Sequence, residues 1–132
     1  MSGARQRLPA RRILMCVCVG LWIGAAVATH IPPSGPLPAG PDLALHGGGF
    51  LTLTCVFWLT LRAYGHPRRR RVRWVLLVMP VYSGLDELTQ PWFGRDAAWA
   101  DWAADLVGAS LALIVLELIH RALARRRRGL GA

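Results

Sequence analysis

The chain contains no lysine. All sixteen of its basic residues are arginine, against only seven acids in 132 residues. Cysteine is scarce too. Cys16, Cys18 and Cys55 have no metal-site spacing, and a disulfide framework is not indicated. They read as small apolar residues with free thiols. No dense metal-binding motif is present, so neither a metal nor another cofactor is expected. Long polar stretches are also missing. The apolar fraction of 54% is high for a soluble protein.

What remains is an arginine pattern laid over apolar runs. The arginines fall in three blocks, Arg5 to Arg12, Arg62 to Arg73 and Arg121 to Arg128, and Arg95 lies apart. A pI near 11.4 often means nucleic-acid binding. Here the block "HPRRRRVR" is flanked by apolar sequence, which argues against a nucleic-acid partner. Between the blocks lie four apolar stretches, Ile13–Thr29, Leu43–Tyr64, Val72–Gln90 and Trp102–His120. Each approaches the roughly 20 residues that a membrane helix needs. Arginine is enriched on the cytoplasmic side of membranes. Four spans with both termini inside put every arginine but Arg95 in the cytoplasm. The expected fold is therefore all-α, a four-helix transmembrane bundle forming one domain over 1–132. Its basic tails, 1–12 and 121–132, are cytoplasmic, and it sits as a multi-pass protein in the cytoplasmic (inner) membrane. Membrane lipids are the implied partners, with anionic headgroups as a second role for the arginines.

A competing reading takes the N-terminus as a cleavable signal peptide ending near "AVA", Ala26 to Ala28. Against it, Gly20, Gly24 and Ala28 recur at i, i+4, i+8, a spacing that lets membrane helices pack closely.

The acids gather where two predicted spans meet, in "GLDELTQPWFGRDAAWADWAAD" from Gly84 to Asp105. Asp42 and His46 are four apart, as are Asp86 and Gln90, and Asp101 and Asp105. Each pair makes a polar stripe on one helix face. Glu87 adjoins Asp86, and Arg95 lies in the adjoining loop, able to fold onto the acids. Exposing an acid to lipid costs about 2.5–3.5 kcal/mol at the bilayer centre. The stripes should therefore face one another. Starting the second span at an Asp42 N-cap puts His46, Asp86 and Asp105 at one depth, about 6 Å inside their helix ends. "DLALHGGG" and "DWAADLVG" share D-x-x-x-[H/D]-x-x-G, a weak echo of duplication. The proline-rich loop from His30 to Asp42 should be stiff and extended. Trp92, Phe93, Trp99 and Trp102 suit the membrane interface. His30, His66 and His120 read as helix-end or loop residues. Glu117 is placed to pair with Arg121.

These residues resemble the VanZ-like family of small bacterial membrane proteins. The resemblance rests on "DLALHGGGF", "DELTQ", "GR" at Gly94 and Arg95, and "DWAADLVGA", from about Asp42 to Ala109. Leu43 stands where the family often has lysine, and Asp105 where it often has asparagine. The step from Gln90 to Arg95 is about one residue short. The founding member is associated with low-level resistance to teicoplanin, and the family's biochemical activity is not established. The resemblance implies a glycopeptide-resistance type of role by analogy. From the residues, the leading function is binding of a polar envelope or drug-like ligand at the non-cytoplasmic end. The candidate site is Asp42, His46, Asp86, Glu87, Gln90, Arg95, Asp101 and Asp105. The alternatives are an enzyme acting on a lipid-linked substrate, with His46 and Asp86, Glu87 or Asp105 as proton carriers or as holders of a divalent metal, a transporter, or a structural polar network. Catalytic residues, oligomeric state and ligand stay open.

Overall fold

The computed structural model describes residues 2–32 and 39–129. It is all-helical among these residues. Helix α1 spans Ser2–His30, α2 Ala39–Ala63, α3 Arg68–Thr89 and α4 Trp99–Gly129. A 3-10 turn, Gln90–Phe93, continues α3. The helices run up and down. The end of α1, the start of α2, the end of α3 and the start of α4 meet at one end of the bundle. The arginine-rich segments lie at the other.

The helices outrun the predicted stretches mainly at their basic ends. Arginine is a good helix former, and cations at a helix C-terminus suit its dipole, as in the last turns of α4. α2 begins at Ala39, ahead of the expected Asp42 N-cap. Pro41 is tolerated there because a first-turn residue needs no N–H partner. His46 and Asp105 therefore lie deeper from their helix ends than the common depth predicted, and Asp86 lies nearer to its own. Most of the predicted proline-rich loop, 33–38, lies outside the described residues.

Three helices are long and apolar enough to cross a membrane, over Ala10–His30, Asp42–Ala63 and Trp99–Arg126. α3, expected as a fourth, falls short on hydropathy because Arg73, Asp86 and Glu87 fall within its apolar part. The burial pattern runs opposite to that of a soluble bundle. Thr54, Ser83, Gln90 and Asp105 are fully buried, while Leu76, Leu77, Val81, Leu85 and Leu88 form an exposed face of α3. Exposed apolar area this continuous needs a partner or a lipid phase.

α4 packs most extensively on α2. The crossing is a backbone contact. A Cβ on Gly108 would lie 2.0 Å from the Gly47 carbonyl oxygen, and one on Gly47 would lie 3.3 Å from that of Ala104. Gly49, which matches Gly108 in the sequence echo, makes no such contact, since an added Cβ there meets nothing within 4 Å. The small residues of α1 differ from expectation as well. Added Cβ atoms at Gly20 and Gly24 also meet nothing within 4 Å. Together with Ala28 they line an open groove against α2 rather than a tight crossing. Below the crossing, Phe50, Trp58, Val75, Met79, Ala109 and Leu113 form the apolar core. The three cysteines are free, with Cys16 exposed and Cys18 buried on opposite sides of α1.

At the basic end, Glu117 is buried and accepts from Trp58 Nε1 at 3.3 Å and from Arg68 Nε. Its ion-pair partner is thus Arg68 on α3, not the expected Arg121. Arg71 of α3 is buried beside them, its guanidinium 4.5 Å from the Trp58 ring centroid.

Candidate functional site

At the other end, the polar stripes face inward and meet. His46, Asp86, Glu87, Gln90, Asp101 and Asp105 are all buried, and Asp42 is half-buried. Asp105 has no exposed surface. One of its oxygens lies 3.1 Å from His46 Nδ1, and the other accepts the Ser83 hydroxyl at 2.7 Å. This one carboxylate links α2, α3 and α4.

Glu87 is held by the turn that follows α3. Its Oε2 accepts the Ala98 backbone N–H at 3.0 Å, and its Oε1 accepts from Gln90 Nε2 at 3.0 Å. The turn reverses at Gly94, with φ of 77°, a left-handed conformation that glycine adopts without a Cβ clash. The reversal lets Arg95 approach Asp42, with Nη2 to Oδ1 at 3.7 Å. Asp96 is exposed on the same loop and takes no part. Trp92, Phe93 and Trp99 are exposed around this end.

Asp86 faces α1. The Thr29 hydroxyl donates to its Oδ1 at 2.8 Å, and His30 Nδ1 lies 3.7 Å from the same oxygen. His30 also reaches across the helices. Its Nε2 is 2.8 Å from the Thr89 hydroxyl, its Nδ1 is 2.7 Å from the Ala26 carbonyl oxygen, and its ring packs edge-on to Phe93. His30 is the helix-end residue expected, the last of α1, and it also ties that end to α3. His66 and His120 stay at the basic end, where the His66 carbonyl accepts from Arg71 and the His120 ring flanks Trp58.

The predicted residues therefore form two adjoining groups. Asp42, His46, Glu87, Arg95, Asp101 and Asp105 make the larger. Asp86 makes the smaller, with Thr29, His30 and Thr89, and Gln90 bridges the two, 3.0 Å from Glu87 and 3.5 Å from Asp86. Thr29, His30, Ser83 and Thr89 were absent from the sequence-derived site. Ser83 shares the α3 face of Asp86, Glu87 and Gln90 by helical spacing, and up-and-down topology sets His30 level with Asp86. Those signals were available.

A cavity of about 570 Å³ opens beside the larger group, lined by Thr29, Asp42, His46, Phe50 and Arg95 among others. Its walls are mostly apolar, and Asp42, His46 and Arg95 are their charged or titratable groups. The donors are chemically capable of binding a cation, of exchanging protons through His46, or of accepting hydrogen bonds from a ligand. His46, Asp42 and Asp101 each offer a donor atom within 4.8 Å of the others, and so do His46, Glu87 and Asp105. Residues that the sequence kept far apart thus converge on one histidine. No family model, curated protein or solved structure matches the chain.

Proposed function

We propose that the chain is a VanZ-like, four-span protein of the bacterial cytoplasmic membrane. Its acidic end faces outward, and there it binds a polar envelope-derived or drug-like ligand. The arginine asymmetry supports this orientation, with both termini in the cytoplasm. α3 serves as the fourth span despite its charges. Asp86 and Glu87 are buried against other helices, Arg73 is exposed but close to the basic end, and the α3 surface that would meet lipid is Trp74, Leu76, Leu77, Val81, Leu85 and Leu88.

The observation that carries the reading is the concentration of buried and half-buried acids at one end of the bundle. Asp42, Asp86, Glu87, Asp101 and Asp105 gather there beside a single arginine, Arg95. Intramembrane acids are costly and mark functional sites by default. A ligand bearing amines or other cationic groups complements the excess negative charge. The cavity beside Asp42 and His46 offers room, and Arg95 at its edge is placed for a carboxylate or phosphate of the same ligand. The resemblance to the VanZ-like family makes a glycopeptide the first ligand to try.

The His46–Asp105 pair favours a second reading, an enzyme acting on a lipid-linked envelope substrate. In that case His46 carries the proton and Asp105 orients it.

The test is growth of bacteria expressing the chain, compared with an empty vector, under teicoplanin. Expression should raise the concentration needed to stop growth. Equal sensitivity with the protein present in the membrane would remove the resistance role.

A further inference from the structure

His46 uses its two ring nitrogens differently. Nδ1 lies 3.1 Å from Asp105 Oδ1 and 3.9 Å from Glu87 Oε1. Both are carboxylate oxygens, which only accept hydrogen bonds when ionised. Asp105 is fixed in turn by Ser83. The proton of a neutral imidazole is therefore drawn to Nδ1, and Nε2 is left with its lone pair. The side chain is 4% exposed, yet Nε2 makes no hydrogen bond among the described residues. Its near polar neighbour is Asp101 Oδ2 at 3.9 Å. In the neutral form with its proton on Nδ1, His46 thus offers Nε2 as a free donor atom beside the Asp101 carboxylate.

A histidine whose far nitrogen donates to a carboxylate is the usual support for a metal-bound imidazole. The donors around Nε2 match. Atoms of Asp42, His46 and Asp101 lie within 4.8 Å of one another. Ligands about 2.0–2.2 Å from one ion stand about 3–4 Å apart, so small side-chain rotations close the set. The 570 Å³ cavity reaches Asp42 and His46 and gives an ion a way in. The neighbouring group of His46, Glu87 and Asp105 fits less well. Its Nδ1 is committed to Asp105, and both acids already accept other bonds.

We propose that His46 Nε2, Asp42 and Asp101 form a binding site for a divalent transition-metal ion, zinc above all, with Asp105 as the positioning residue. One nitrogen and two carboxylate oxygens suit zinc or manganese, and the usual affinity order favours zinc. Three protein ligands leave a coordination position open toward the cavity. The inference deepens the binding reading by giving that site a resident cation, through which an oxygen of a polar ligand is held. It needs neither the orientation in the membrane nor the glycopeptide role.

The test uses the full-length protein, purified in detergent, stripped by chelator and titrated with zinc. One ion should bind per chain. X-ray absorption of the zinc-loaded wild type should show one imidazole, with oxygen in the other positions. His46→Ala and Asp101→Asn should weaken binding at least about tenfold, and Asp105→Asn about 10–100-fold, as for a residue that orients a ligand. Arg95→Gln should tighten binding, because Arg95 competes for Asp42. Asp96→Asn, in the exposed loop, should change nothing. Circular dichroism checks that each variant keeps its helices. No stoichiometric binding by folded wild type, or sulfur or two imidazoles in its absorption spectrum, would overturn the proposal. Weakening by Glu87→Gln with none by Asp101→Asn would also overturn it. Because metal is read on purified protein and drug sensitivity on cells, failure of one leaves the other standing.

Discussion

The Thr29 hydroxyl, in the last turn of α1, donates to the Asp86 carboxylate of α3 at 2.8 Å. With His30 beside it, the bond joins the first helix to the end where the other three meet. Asp86 has little else at close range, since Gln90 Nε2 lies at 3.5 Å and His30 at 3.7 Å. Thr29→Val should therefore cost about 1–2 kcal/mol, near the upper end for interhelical bonds in membranes. Asp86→Asn keeps an oxygen for Thr29 and should cost less. Thermal unfolding in detergent ranks the two, and the reverse order would show that the bond does not hold α1.

Gly108 allows α4 to lie directly on α2. A methyl group there would sit 2.0 Å from the Gly47 carbonyl oxygen, so the helices must separate. Gly108→Ala should destabilise the fold by more than the roughly 1–3 kcal/mol of ordinary overpacking. It should also disturb His46 and Asp105, which face each other across the same interface. Gly24→Ala, with open space around it, should be neutral or slightly stabilising. The midpoint of unfolding for each variant checks both expectations.

Much of this was legible in the chain, for definite reasons. Four helices followed from four apolar stretches, and the arginine blocks marked the end opposite the acids. The inward polar stripes followed from i, i+4 spacing and the cost of acids in lipid. Other features depended on registers that spacing does not specify. Asp42 looked like a helix start, but the chain enters α2 earlier, at Ala39. Glu117 looked paired within its helix, but Arg68 of α3 reaches it instead. The glycines of α1 matched a packing motif, but the structure leaves them lining an open groove. His30 looked bland because its partners, Thr89 and Asp86, are almost sixty residues away in sequence. The gathering of donors around His46 followed from the facing stripes, but which acid each ring nitrogen meets did not.

Orientation has its own test. Reporter fusions after Thr29, Tyr64, Gln90 and His120 should alternate outside, inside, outside, inside. The fusion after Gln90 matters most, because α3 is the helix whose hydropathy falls short of a span. If it reports the same side as Tyr64, then α3 does not cross and the acids do not face outward.

The central claim is that the buried acids are a site and not only a brace between helices. The double variant Asp86→Asn, Glu87→Gln tests this most directly. Neutral amides keep the shape and most hydrogen bonds, and interhelical bonds in membranes average only about 0.6 kcal/mol. A brace would tolerate the change, whereas a site that needs negative charge would not. The measurement is drug sensitivity of cells beside the amount of protein in their membranes. The account predicts an undiminished protein level with the phenotype abolished. Full activity in the double variant would contradict it and leave the cluster a structural network.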